Sequence, residues 1–100
     1  MSRPTPHIAR LAWDDWNRAH IARHGVTEAE AEEAAAGDTL IKETYKGRLQ
    51  LVGPTANGRM LAVIIGPMPN EPDAYYVFTA RPAHRKERRE YAAWKGGSAS

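Results

Sequence analysis

The sequence predicts an α+β domain, in which an antiparallel sheet of three to four strands packs with two N-terminal helices and one C-terminal helix. Helix-typical segments occupy both ends of the chain, whereas the middle alternates between apolar runs and short turns. Strands that follow one another through short turns pair as an antiparallel meander. With 100 residues the chain has room for one domain, 1–100, with flexible ends at about 1–7 and 96–100.

The N-terminal third is predicted to hold a short strand and two helices, at Ile8–Asp14, at Asn17–His24 and from Thr27 to Gly37. Gly25 ends the first helix, because glycine tolerates the left-handed conformation of a helix cap. Thr27 and Glu30 have the spacing of a capping box and therefore begin the second helix. This second helix turns only alanines inward, so we expect it to pack closely and shallowly.

The remaining elements are strands at Leu40–Tyr45, Leu49–Gly53, Met60–Ile65 and Tyr75–Arg81, and a helix at His84–Trp94. Asn57-Gly58 is typical of a tight turn between two strands. The run from Leu61 to Ile65 has no polar residue on either face, which predicts a central strand covered on both sides. Pro82 ends the last strand, since proline cannot donate to a strand ladder.

Charge is unevenly distributed, although the net charge is only +2. Residues 28–38 contain five acids and no base, and residues 81–95 contain six bases and two acids. This asymmetry indicates one surface for an anionic partner and another for a basic one, the alternative being two ordinary solvated helix faces. The absence of cysteine excludes disulfides, thiol nucleophiles and thiolate metal sites. No apolar run can span a bilayer, so we expect no membrane partner, and the lack of cysteine fits a cytoplasmic location.

His20 and His24 lie four residues apart, which is the spacing of two metal ligands on one helix face. A third ligand with clear spacing is missing, so the sequence predicts neither a metal site nor another cofactor. The alternatives are that one histidine faces solvent while the other packs under the Gly25 turn, or that His24 acts as an acid–base group.

The segment from Thr79 to Tyr91 is the most informative for chemistry. Helical spacing back from Tyr91 predicts that Arg88 or Glu87 projects toward the sheet. Arginine grips phosphate with two donors and keeps its charge, and RNA cleavage by the ribose 2′-OH needs such donors and a group that moves protons. The alternative is a lattice of Arg–Glu pairs on a solvated helix. The cations expected to meet at this strand–helix junction are Arg81, His84, Arg85 and Arg88.

Two motifs in this chain resemble those of the BrnT family of toxins. They are Trp13-Asp14, Asn17, Ile21 and Arg23-His24-Gly25-Val26-Thr27, and then Thr79-Ala80-Arg81-Pro82-Ala83 with Glu87-Arg88-Arg89 and Tyr91. The resemblance implies a RelE-like fold and an endoribonuclease that inhibits translation. It also implies a type II toxin–antitoxin pair, whose ribbon-helix-helix antitoxin (BrnA-like) binds the toxin and represses promoter DNA.

Residue chemistry and this resemblance together give a candidate site. Metal-independent cleavage by 2′-OH attack is assigned to His24, Arg81, Glu87 and Arg88, and RNA binding to Arg23, His84, Arg85, Lys86, Arg89 and Tyr91. The alternative is a non-catalytic module that binds RNA or an antitoxin on the same fold. The family pattern leads us to expect a small capping residue at position 84, and His84 departs from it.

Overall fold

The computed structural model describes residues 6–97, which form a five-stranded sheet with helices on both faces. In chain order the elements are β1 (Arg10–Ala12), α1 (Asp15–Ala22), α2 (Glu28–Ala36), β2 (Leu40–Glu43), β3 (Leu49–Pro54), β4 (Met60–Pro67), β5 (Ala74–Pro82) and α3 (Arg85–Gly97). The predicted α+β class is confirmed. The sheet order is β1-β5-β4-β3-β2, and every neighbouring pair is antiparallel except β1 with β5. The sheet has five strands instead of three to four, because the short β1 joins its edge in parallel.

Local capping explains where the two N-terminal helices begin and end. Asp14 and Asn17 form a reciprocal capping box, so α1 begins two residues before the predicted start. Gly25 has φ +72°, its N–H donates to Ala22 O, and the next N–H donates to Ile21 O, which is a Schellman end. The predicted capping box of Thr27 and Glu30 is present at the start of α2.

Strand β4 is central, as predicted from its apolar run. Leu61, Ala62, Val63 and Ile65 are fully buried. Alternate residues of this strand enter two different cores. Helices α1 and α2 cover the first face of the sheet, on which Leu61 and Val63 lie, and α3 crosses one end of the second face, on which Ala62 lies.

Helix α2 docks with small side chains and many carboxylates. Ala31 and Ala34 are fully buried against the first face. A Cβ at Gly53 of β3 would lie 2.7 Å from Ala34 O, so this glycine permits the close approach of helix and strand. The acids of α2 are engaged within the chain, since Glu28, Glu30, Glu32 and Glu33 accept hydrogen bonds from Arg18, Arg59, Trp13 and Ala56 N, respectively.

Helix α3 continues past the predicted end at Trp94 through Gly97, and its last turns are tied to the loop before β2. Tyr91 Oη donates to Asp38 O at 2.7 Å, and Lys95 pairs with the Asp38 carboxylate at 2.9 Å. The predicted flexible ends fall largely on 1–5 and 98–100, which lie outside the described residues. Across 6–97, no helix is long and apolar enough to span a membrane.

Candidate functional site

The site is built where β5 passes into α3. Ala83 is buried, and its N–H donates to Met60 O at the start of β4. His84 precedes the first helical turn, and its carbonyl accepts from Arg88 N–H at 2.9 Å. Glu87, three residues later, turns back and accepts the His84 backbone N–H at 2.7 Å. This is the carboxylate half of a capping box, and it points Glu87 inward.

Arg81 and Glu87 form a two-pronged ion pair on the second face of the sheet. Arg81 Nη1 and Nη2 donate to the two carboxylate oxygens, each at 2.8 Å. Gln50 of β3 adds a third donor at 2.7 Å. The side chains are only 23% and 11% exposed, respectively. Geometry of this kind is the strong form of an Arg–carboxylate contact, so the pair is fixed in place.

The hydrogen bonds also fix the protonation state of the pair. Those from Arg81, together with those from the His84 N–H and Gln50, lower the pKa of Glu87 from 4.5 to about 2, against the opposing effect of burial. The same contact raises the pKa of Arg81. Glu87 is therefore an anion at neutral pH, with both oxygens engaged, and it is a weak base.

Of the two residues that helical spacing left as alternatives, Glu87 faces the sheet and Arg88 is exposed. Arg88 Nη1 donates to Ala83 O at 2.6 Å, which holds its stem across the start of α3. The other exposed side chains of this first part of the helix are His84, Arg85, Lys86 and Arg89. Tyr91 differs from them, because it is half-buried against the second core and its hydroxyl is bound to a backbone carbonyl.

Arg23 and His24 are exposed in the turn that follows α1. Because α1 covers the first face, the structure places them on the opposite side of the sheet from Arg81. Arg23 and His24 nevertheless lie at the same end of the sheet as the junction between β5 and α3. The Gly25 carbonyl beside His24 accepts from Arg59, directly before β4, and the start of β4 is also where Ala83 is bound.

The His20/His24 pair belongs to an aromatic stack on α1. The Trp16 and His20 rings stack with centroids 4.9 Å apart, and His20 meets His24 edge to face at 5.4 Å. Within residues 6–97, no group of three or more His, Cys, Asp or Glu side chains is arranged to hold a metal ion.

Gln50 is a site residue that sequence reasoning missed. Its signal is the alternation in β3, which puts it on the face opposite the buried Leu49 and Leu51. Asn17, part of the first family-like motif, is fully buried and donates from one amide nitrogen to Ala12 O and Val77 O. Its role is to join α1 to β1 and β5.

These elements and their junction form an α+β domain with a BrnT/RelE-like fold. The chain is similar to the crystal structure of the Brucella abortus ribonuclease toxin BrnT, with a TM-score of 0.59 and 26% sequence identity. The match covers 76% of this chain and 97% of that one. The resemblance seen in the sequence motifs is thus confirmed by a solved structure. No protein-family model and no curated protein match the sequence.

Proposed function

We propose that this protein is the toxin of a type II toxin–antitoxin pair, an endoribonuclease that cleaves RNA and so inhibits translation. The supporting observation is the structural similarity to a ribonuclease toxin over 76% of the chain. The cluster of exposed cations at the start of α3 suits a polyanionic substrate. Such a toxin acts in the cytoplasm, where its RNA substrates are.

In the proposed reaction, the ribose 2′-OH attacks the adjacent phosphate without a metal ion. Arg81 is suited to hold that phosphate, because Glu87 takes only the Nη1 and Nη2 ends of its guanidinium. Nε–H and the second N–H of Nη2 lie along the adjoining edge and form a fork for two phosphate oxygens. Arg88 supplies a second cation for the charge that develops on phosphorus.

The proton-transfer role moves to histidine in this proposal. Glu87, with a pKa of about 2, is a positioning residue that orients Arg81. His84 is exposed beside it, and His24 is exposed at the same end of the sheet, so proton transfer is assigned to these two imidazoles. Contact with the RNA falls to the remaining predicted residues, Arg23, Arg85, Lys86, Arg89 and Tyr91.

The proposed protein partner is a ribbon-helix-helix antitoxin (BrnA-like), through which the complex would reach promoter DNA. The similarity to a ribonuclease toxin supports this partner as well. Co-expression with the product of the neighbouring gene should rescue growth if that gene encodes the antitoxin.

The test is induced expression followed by RNA cleavage with purified, antitoxin-free protein. Wild-type protein should arrest growth and cleave RNA, and Arg81→Ala should lower cleavage about a hundredfold or more. Arg10→Ala is the matched control, since Arg10 is also held by both oxygens of a carboxylate, that of Glu71, but far from the junction in the fold. Undiminished cleavage by Arg81→Ala would contradict the proposed role of Arg81.

One observation favours a second candidate, the non-catalytic RNA- or antitoxin-binding module. Glu87 neutralises much of the charge of Arg81, so the pair on its own is a weak anion site. Purified wild-type protein that binds single-stranded RNA but leaves it intact would select this second candidate.

A further inference from the structure

We propose that Arg48 and Phe78 form a stacking site for one base of single-stranded RNA, on the half of the second face that α3 leaves open. This inference rests on the proposed function, because it names the form of RNA that the same face recognises. The open half is made by partly exposed residues of three strands and the preceding turn, Arg48, Gln50, Ile64, Tyr76, Phe78 and Thr79.

Phe78 lies on this face because it follows Tyr76 by two residues, and a β-bulge directly after it keeps Thr79 on the same face. Ile64 pairs with Thr79 and Ile65 pairs with Val77, so Phe78 is an extra residue in β5 without a partner on β4. Bulges of this kind redirect a side chain while the strand continues. The Phe78 ring meets that of Tyr76 edge to face at 5.4 Å.

Gly66 of β4 makes the room that the Phe78 ring needs. A Cβ at Gly66 would lie 2.6 Å from Phe78 Cε2 and 3.6 Å from Arg48 Cγ. The ring therefore lies against bare backbone. Tyr76, which pairs with Gly66, is held by its hydroxyl, which donates to the Asp14 carboxylate. The Tyr76 ring beside Phe78 is thus held in place by this hydrogen bond.

Arg48 covers the Phe78 ring and presents the surface on which a base would stack. Its guanidinium carbon lies 4.0 Å from the centre of the Phe78 ring. The Arg48 backbone is fixed by the turn between β2 and β3, where its carbonyl accepts from both N–H and Oγ1 of Thr44. Arg48 is partly exposed, so its guanidinium is within reach of a ligand.

This arrangement matches the chemistry of an unpaired base. Bases stack on aromatic rings and on arginine guanidinium planes, and the arginine charge also attracts the neighbouring phosphate. Gln50 lies two residues beyond Arg48, about 7 Å along an extended chain, and donates to the carboxylate that orients Arg81. A base on Arg48 would therefore sit on the same face as the proposed phosphate fork.

The test uses a short 2′-O-methyl RNA strand, which cannot be cleaved by 2′-OH attack, with one 2-aminopurine placed at each position in turn. Wild-type protein should quench the fluorescence at one position and prefer the single strand to its duplex. Arg48→Lys keeps the charge but loses the planar group, and Phe78→Leu keeps an apolar contact but loses the ring. Each should abolish the quenching and weaken binding about tenfold.

Arg18→Lys is the control, since Arg18 is an exposed arginine on α1 paired with Glu28. The thermal midpoint of each variant should stay near that of the wild type. If Phe78→Leu proves unfolded, the result for Arg48→Lys alone decides the test. Full quenching by Arg48→Lys, or absence of position-specific quenching by the wild type, would overturn the stacking site. Cleavage of ordinary RNA, measured separately, tests the proposed function, and loss of quenching in both variants supports the stacking site even if no cleavage is found.

Discussion

Glu87 has two structural tasks, because one carboxylate both caps the start of α3 and holds Arg81. Its two oxygens receive four hydrogen bonds, from Arg81 twice, from His84 N–H and from Gln50. Helical spacing alone could not choose between Glu87 and Arg88 as the inward residue. The choice follows from capping, since a glutamate three residues after the cap position reaches back to the backbone.

Glu87 should make the stability of the protein depend on acidity. Its pKa falls from 4.5 to about 2 on folding, so the ionised form is favoured in the folded state. The contribution is fully present above about pH 5, amounts to about 3 kcal/mol at neutral pH, and is lost as pH falls towards about 2. Glu87→Gln should therefore be less stable than wild type near pH 7, and somewhat more than half of that difference should be lost near pH 3.

Denaturant unfolding at the two pH values measures this effect. Glu90→Gln is the control on the same helix, because the more exposed Glu90–Lys42 pair should contribute less than about 1 kcal/mol. An equal deficit for Glu87→Gln at both pH values would show that the carboxylate charge is not what stabilises the junction.

At the scale of elements, the packing of α2 depends more on the short distance between this helix and β3 than on the apolar area that the helix buries. Its fully buried residues are alanines, and Gly53 gives the helix room. Gly53→Ala would place a Cβ 2.7 Å from Ala34 O, which is backbone and cannot swing aside. We expect a destabilisation of about 1–3 kcal/mol as α2 is displaced from β3.

Thermal unfolding checks the Gly53 prediction against Gly37→Ala. At Gly37 the added Cβ would lie 3.7 Å from Glu33 O, an ordinary contact, in a backbone conformation open to any residue. A Gly53→Ala variant as stable as the Gly37→Ala variant would mean that the helix relaxes outward without cost.

Most elements could be predicted because their signals are local. Capping of α2 by Thr27, the Gly25 end of α1 and the continuous apolar run of β4 each depend on a few neighbouring residues. The parallel partner of β1 could not be predicted, since three residues do not specify which distant strand they join. The α1 start was missed because Asn17, rather than the usual Glu or Gln, completes its capping box.

The candidate site was predictable in its residue types and not in its geometry. Arg81 and Glu87 were both singled out, yet their pairing depends on the angle at which α3 leaves β5. Arg48 and Phe78 carried no motif. Strand alternation places Phe78 on the same face as Tyr76, but the bulge opposite Ile64 and Ile65, which also keeps Thr79 and Arg81 on that face, is not indicated by any local pattern.

For the whole molecule, the exposed cations of α3 predict how RNA affinity responds to salt. Each phosphate contact that is removed lowers the slope of log affinity against log salt by about 0.7 for a single strand. Lys86→Ala should therefore weaken binding and flatten this slope by about that amount, with an unchanged cleavage rate at saturating RNA. Filter binding over a salt series gives the slope. A Lys86→Ala variant with normal affinity but no cleavage would show that Lys86 belongs to the reaction itself.

Cleavage should also survive chelation, since the proposed reaction relies on arginine and histidine alone. RNA cleavage in excess EDTA should proceed at the rate found without it. Loss of activity in EDTA and its return with zinc or manganese would contradict this mechanism and would direct attention to His20 and His24 as ligands.

The parallel pairing of β1 has a consequence for the order of folding. Strands β2 to β5 pair with their sequence neighbours. By contrast, β1 and the start of α1 contact β5, which is far away in the sequence; Tyr76, for example, contacts Asp14 and lies 62 positions after it. Closing a long loop is entropically costly and slow compared with forming a hairpin. The meander should therefore form first, and β1 should add to it as the final step. Until then the outer edge of β5 has no partner strand, and during this interval the chain is most exposed to pairing with another copy of itself.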